Sequence, residues 1–267
     1  MKSFQYHRPD TVPAALALLG GAEETRPIAG GMTLLPTIKQ RLASPTALVD
    51  LSKIPQLFGI VLDGDVLTIG AMTRHVDVAE SELIRARVPV LASLAAGIGD
   101  PAVRNRGTIG GSIANNDPAA DYPAAALALD ATIVTDRREI PADAFFLGLF
   151  ETALEPDEVI VALRFPVPSA GAYAKFKSPA SRYATVGVCV AKTAGKVRVA
   201  VTGAGPCVFR VPNMEAALAA SFAPEAIASI RIPEQGLNSD IHADAQFRAH
   251  LVTVMAKKAV AAAIQSS

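Results

Sequence analysis

The chain has no tryptophan, two cysteines and four histidines in 267 residues. Cys189 and Cys207 form no CxxC pair, and His7, His75, His242 and His250 form no HxH or HExxH pattern. That excludes a zinc site of common spacing, and an iron–sulfur cluster held by this chain alone. Both cysteines read as structural thiols. An excess of one charge is also missing. Lys and Arg number 25, Asp and Glu number 25, and no basic stripe appears, so nucleic acid is not an expected partner. No apolar run reaches the roughly 18 residues a membrane helix needs. Met1 to Pro9 shows neither an apolar signal core nor a cleavage site, and the expectation is a cytoplasmic protein. Common nucleotide and nucleophile motifs are lacking too. Gly97-Ile98-Gly99 runs into Asp100-Pro101 and Gly203-Ala204-Gly205 into Pro206, so neither completes GxGxxG. There is no GK[ST] and no GxSxG, which argues against a Rossmann fold, a P-loop and a serine-hydrolase elbow.

What the chain has in quantity is small and apolar residues. Hydrophobic residues make up 51% and charged residues 19%. This fits extra buried surface such as a subunit interface, and it equally fits an alanine-rich composition. Two glycine pairs, each followed by a hydroxyl residue, stand out: Ala29-Gly30-Gly31-Met32-Thr33 and Thr108-Ile109-Gly110-Gly111-Ser112. Such pairs let backbone approach a ligand closely. Turns of this kind aim successive N–H groups into an anion-binding concavity, and a following helix adds positive potential. Neither loop contains Lys or Arg, so a phosphate there would rest on N–H and hydroxyl donors. Two such loops far apart in sequence suggest a long ligand with a pyrophosphate in its middle.

Periodicity predicts a helix after Asp10-Thr11-Val12-Pro13, a strand at 27–29, a helix over 33–42 and a strand over 47–51, which together imply a small parallel α/β unit. Asp63-Gly64-Asp65 between two apolar runs predicts a hairpin. Helices are expected over 77–83, 89–98 and 123–129, and strands over 132–134 and 159–165. Pro166 to Gly171 reads as a linker. Strands at 172–177, 184–192, 196–202 and 207–211, with helices at 213–221 and 244–264, complete an α+β unit.

The stretch Val103-Arg104-Asn105-Arg106-Gly107-Thr108-Ile109-Gly110-Gly111-Ser112-Ile113-Ala114 is followed by Asp117-Pro118, Asp121, Pro123 and Leu127-Ala128-Leu129-Asp130-Ala131. It resembles the FAD-binding subunit of molybdenum hydroxylases, a group that includes the medium subunit of aerobic carbon monoxide dehydrogenase and the flavin domain of xanthine dehydrogenase. Ala29 to Pro36 is similar to that family's AGG-x-[ST]-L-L-P segment, and Phe4-x-Tyr6-x-Arg8-Pro9 to its opening. The resemblance runs the whole length.

It implies an α+β fold: a two-part FAD-binding domain of the vanillyl-alcohol-oxidase type over 1–168, then a small α+β domain over 169–267. The first would divide into a small α/β part, 1–55, and a larger mixed-sheet part, 56–168. Non-covalent FAD is implied as this chain's cofactor. Ala29, Gly30, Gly31, Met32, Thr33 and Leu34, with Thr108, Ile109, Gly110, Gly111 and Ser112, would hold its pyrophosphate and ribityl region. Asp121 would accept a hydroxyl of the cofactor, or else cap the 123–129 helix. Lys177 matches a family lysine near the flavin, or is a solvated strand end. Ile98 and Ile160 would line the flavin or simply pack the core. Tyr183 would cover the isoalloxazine or sit at a strand edge. Two departures are Met32, where the family often has His, Gln or Asn, and Asn116, at a small or polar position. No catalytic side chain and no metal ligand is implied. The implied partners are a large molybdopterin subunit and a small subunit with two 2Fe–2S clusters, as a dimer of heterotrimers, with the acceptor unspecified. The alternative is a stand-alone FAD oxidoreductase of the same fold. A scaffold that stores FAD without turnover is a third reading.

Overall fold

The computed structural model describes residues 1–21 and 23–265. Three larger sheets follow one another along the chain, with a two-stranded hairpin, Phe146–Thr152, between strands of the second. The first is parallel, with Ala47–Asp50 between Gln5–His7 and Thr25–Ile28. Its helix Val12–Leu19 starts at Thr11, whose hydroxyl accepts the Ala14 N–H at 3.3 Å, and stops at Gly20. Ala15, Leu19 and Val49 bury their side chains with Met72 and Val159, which belong to the next layer. The small α/β unit therefore shares its core with the second sheet.

The second sheet is antiparallel, in the order Ile60–Asp63, Val66–Gly70, Ile160–Pro166, Thr132–Thr135, Glu139–Pro141. Asp63 pairs with Val66 across the expected hairpin, and Gly64 takes the left-handed conformation that turn needs (φ +57°). The helix expected over 77–83 is in fact two, His75–Glu80 and Glu82–Arg87. Ser81 between them is extended, and its hydroxyl accepts the Ile84 N–H at 3.3 Å, so it caps a new helix. The stretch between Pro166 and Gly171 is less of a linker than its composition suggests. Pro166 still pairs with Val66, and Ala170 already pairs with Lys192.

The third sheet, Ala170–Lys177, Ala184–Thr193, Lys196–Thr202 and Phe209–Arg210, is antiparallel and covered on both faces. Alternation decides which side chain goes where. Val186, Val188 and Val190 meet the long helix Ala245–Gln265 through Val252, Met255 and Ala259. Cys189, Ala191 and Ala200 face the other way, toward helix Tyr122–Ala128. All seven residues of that helix are buried, and small side chains on both sides let helix and sheet come close. The alanines of Tyr122–Ala128, with Ala191 and Ala200, are consumed in this contact. Both cysteines are free. Cys189 is wholly buried and its thiol is pushed up to about 12 by desolvation. Among the described residues no helix is long and apolar enough to cross a membrane.

Candidate functional site

A cavity of about 610 Å³ lies between the three layers. The first layer contributes Ala29 to Leu34, the second Gly107, Thr108 and Gly110 to Ser112, and the third Ser181 to Tyr183. The two glycine loops meet. A Cβ on Gly30 would lie 2.0 Å from the Arg106 carbonyl oxygen and 2.8 Å from Gly107 Cα, and one on Gly111 would lie 3.5 Å from Ala29 Cβ.

The loops are not equivalent. In the first, Gly31 is left-handed (φ +73°), and the N–H groups of Gly30, Gly31, Met32 and Thr33 donate to no acceptor among the described residues. Unclaimed donors at a cavity wall are what an anion site requires. In the second loop the N–H groups from Ile109 to Ser112 are spent. Ile109 donates to Thr73 O at 3.0 Å, Gly110 to Ala71 O at 2.9 Å, Gly111 to Thr108 Oγ1 at 3.1 Å and Ser112 to Thr108 O at 3.0 Å. Thr108 is the N-cap of helix Ile109–Asn115. The second loop thus supplies a closely packed wall and the end of a short helix. Gly110 is a packing glycine, since a Cβ there would sit 2.5 Å from Ala71 Cβ.

Fourteen of the sixteen residues singled out from the sequence line the cavity, including Met32, Ile98, Asp121, Ile160 and Tyr183. Two do not. Ile109 turns its side chain into the core, fully buried. Lys177 is exposed at the end of its strand, after a register shift between Phe176 and Lys177. The lysine that reaches inward is Lys175, whose Nζ lies 2.9 Å from Asp121 Oδ2 and 3.0 Å from the Gly97 carbonyl. Asp121 stands at the N-cap position of its helix without capping it. It has helical φ/ψ and makes no capping bond, and its carboxylate accepts instead from Tyr173 Oη and Lys175. Burial pushes the Asp121 carboxyl up, and the Lys175 charge and the two donated bonds oppose that push.

Positive charge reaches the cavity from outside the loops. Arg26 and Arg182 line it. The turn at Ile98 and Gly99, also on the wall, is gripped through its carbonyls. Arg104 Nη1 donates to Ile98 O at 2.8 Å and to Gly99 O at 3.1 Å, and Arg182 Nη1 donates to Gly99 O at 3.2 Å. His75 also lines the cavity and had no signal in the sequence. Its ring lies 5.4 Å from that of Tyr122, and a Cβ on Gly107 would fall 2.5 Å from its Nε2. Burial, with help from the Arg104 charge, pulls its pKa down to about 4, and Nδ1 has no partner. Tyr183 stands half-exposed at the mouth, its phenol pushed up by burial and by Asp117 and Asp121. Asn116, left-handed at φ +43°, sends Nδ2 to Gly148 O (2.8 Å) and Glu151 O (2.7 Å), so it anchors the hairpin Phe146–Thr152.

The sequence profile of the family described as "FAD binding domain in molybdopterin dehydrogenase" matches residues 2–168. The chain belongs to this family. The carbon monoxide dehydrogenase medium chain of Hydrogenophaga pseudoflava is 39% identical over 279 aligned positions, covering 97% of this chain and 96% of that one. The nicotine 6-hydroxylase medium subunit of Paenarthrobacter nicotinovorans is 33% identical, with 97% of each chain covered. The solved structure of reconstituted CO dehydrogenase from Oligotropha carboxidovorans superposes with a TM-score of 0.90 at 33% identity, over 100% of this chain and 99% of that one. As a flavoprotein component of a molybdenum-containing oxidoreductase, the chain has FAD as its cofactor, and its cavity fits that ligand. Four unclaimed N–H groups suit a pyrophosphate, glycine at position 30 lets the first loop pack against the Arg106–Gly107 backbone, and Asp121 faces the space with acceptor capacity to spare.

Proposed function

We propose that this chain is the electron-relaying flavin subunit of a cytoplasmic three-part molybdenum hydroxylase. A large molybdopterin subunit oxidises the substrate, a small subunit carries two 2Fe–2S clusters, and the flavin here hands electrons to an external acceptor, in a dimer of heterotrimers. Bound FAD supplies the exchange between one-electron and two-electron carriers. The chain's own residues hold it. The first loop's N–H groups bind the pyrophosphate, Asp121 accepts a hydroxyl, Tyr183 screens the ring system, and Arg104 and Arg182 fix the Ile98–Gly99 wall. In this reading the chain divides near 168 into the FAD-binding part and a C-terminal domain that closes the cavity.

The carrying observation is that the acids and the imidazole on the cavity wall each take bonds from the protein or stay neutral, Asp117 accepting the Ala119 N–H at 2.9 Å. Asp121 is engaged by Tyr173 and Lys175, Glu158 by Arg138 and Thr135, and His75 is neutral in its buried position. Among the described residues no carboxylate on the wall bonds to the imidazole or to the Tyr183 hydroxyl, so no acid–base pair is assembled there, which suits electron relay better than substrate oxidation in this chain. The names of the relatives, "medium chain" and "medium subunit", support the multi-subunit assembly.

Stopped-flow spectra of the co-expressed complex test the proposal. Substrate of the molybdenum subunit is expected to bleach the clusters first and the flavin after them. Flavin bleaching is expected to vanish when the iron–sulfur subunit is left out. An isolated, FAD-loaded chain that turns over a small organic substrate at a rate comparable with the complex would establish the stand-alone enzyme instead.

A further inference from the structure

Asp121 has more acceptor capacity than the protein uses. It is 6% exposed and lines the cavity, yet only Tyr173 and Lys175 donate to it among the described residues. A carboxylate offers about four lone-pair positions, so roughly two remain. The two donors come from a different layer. Tyr173 and Lys175 stand two residues apart on strand Ala170–Lys177 of the third sheet, whereas Asp121 begins the helix Tyr122–Ala128.

Both donors are themselves held. Lys175, 9% exposed at its side chain, also donates to the Gly97 carbonyl at 3.0 Å, which fixes its ammonium between two acceptors. The Tyr173 hydroxyl occupies a gap made by Gly187 on the adjacent strand, where a Cβ would lie only 2.1 Å from the oxygen. A buried ion pair of this kind is weak evidence for stability, because desolvation offsets the attraction. It does fix one carboxylate orientation, and the Lys175 charge opposes the upward push of burial, as outer partners do for groups that bind a ligand.

We infer that Tyr173 and Lys175 are positioning residues for the cofactor. They hold the Asp121 carboxyl in one orientation, with its remaining lone pairs toward the cavity, where it accepts a hydroxyl of FAD. The third sheet thereby sets FAD affinity through Asp121. This rests on FAD occupying the cavity.

A double-mutant cycle on the full chain, stripped of flavin and titrated with FAD by fluorescence, tests it. Asp121→Asn and Lys175→Met are each expected to weaken FAD about tenfold, a factor that corresponds to about 1.4 kcal/mol. In the Asp121→Asn background, Lys175→Met is expected to add less than about twofold, because the lysine acts through a carboxylate no longer there. Gly187→Ala approaches from the other side. By displacing the Tyr173 hydroxyl it is expected to weaken FAD in the native background and not in Asp121→Asn. Should Lys175→Met fail to fold, Tyr173→Phe keeps the ring, loses only the hydroxyl and carries the same cycle. Equal weakening by Lys175→Met in both backgrounds would overturn the inference, as would no weakening at all. Native protein that takes up no FAD would instead refute the cofactor's place in the cavity.

Discussion

Alanine at Gly30 is expected to strip the protein of FAD. The new Cβ would fall 2.0 Å from the Arg106 carbonyl oxygen, 2.6 Å from its carbon and 2.8 Å from Gly107 Cα. These are backbone atoms and cannot rotate away. The first loop would have to lift off the second, and the concave set of N–H groups from Gly30 to Thr33 would open with it. Overpacking of this kind costs about 1–3 kcal/mol when neighbours can adjust. Here the adjustment falls on the ligand's own donors, so FAD affinity is expected to drop by at least about a hundredfold. Gly31→Ala makes an instructive control. Its φ of +73° is costly for alanine, but the clash is at 2.9 Å with Leu35 Cδ1, the end of a flexible side chain. Left-handed backbone costs about 1–2 kcal/mol, so a loss of about tenfold is expected. The ratio of absorbance at 450 nm to that at 280 nm in purified protein, with FAD titrations and thermal unfolding of the flavin-free forms, checks both. Gly30→Ala protein that keeps FAD within about threefold of native affinity would show that contact between the loops does not shape the site.

The sequence located both loops, because glycine pairs and a capping threonine are local signals. It did not separate their tasks. The N–H groups of Ile109 and Gly110 are taken by Thr73 O and Ala71 O, more than thirty residues upstream, and no local pattern in Thr108–Ser112 announces that pairing. The lysine was misplaced for a similar reason. Lys175 and Lys177 have the same strand parity, and only the irregularity after Phe176, together with the position of Asp121, turns the first inward and leaves the second exposed. His75 and Arg182 escaped because each reaches the cavity through tertiary neighbours, Gly107 and Tyr122 for one and Gly99 for the other. The architecture was easier to read than the site. Alternation in Ala184–Thr193 and the small residues of Tyr122–Ala128 are written in the chain, and they dictate a sheet covered on both faces. The hairpin Phe146–Thr152 had no turn signature strong enough to show.

Acid is expected to unfold this protein in two overlapping stages, to which His75 and Glu158 make large contributions. His75 is held near pKa 4 by burial and by Arg104, against 6.5 for the free side chain. Below pH 6.5 the unfolded chain takes up a proton that the folded chain refuses, so stability falls as pH drops from 6.5 to about 4, and levels off once the folded ring is protonated as well. A shift of this size corresponds to about 3 kcal/mol. Glu158 works in the next window. Its carboxylate accepts from Arg138 Nε at 2.8 Å and Nη2 at 2.7 Å, from Thr135 Oγ1 at 2.7 Å and from the Glu155 N–H at 3.0 Å. Led by the Arg138 bonds, these hold it near pKa 2 against 4.5 for the free side chain. Its contribution is complete above pH 4.5 and disappears as pH falls toward 2. Arg138 is 42% exposed, so solvent screening reduces this to something on the order of 2 kcal/mol. Urea unfolding of the flavin-free full chain from pH 7 to 2.5 separates the two, since without FAD no ligand linkage enters. His75→Leu is expected to flatten the profile between pH 6.5 and 4 and to cost little at pH 7, where it also removes an unpartnered Nδ1. Glu158→Gln is expected to lower stability at pH 7 and to flatten the profile below 4.5. A His75→Leu profile as steep as the native one between pH 6.5 and 4 would mean that another group carries the acid response, and that the imidazole facing the flavin cavity is not the neutral, desolvated ring described here.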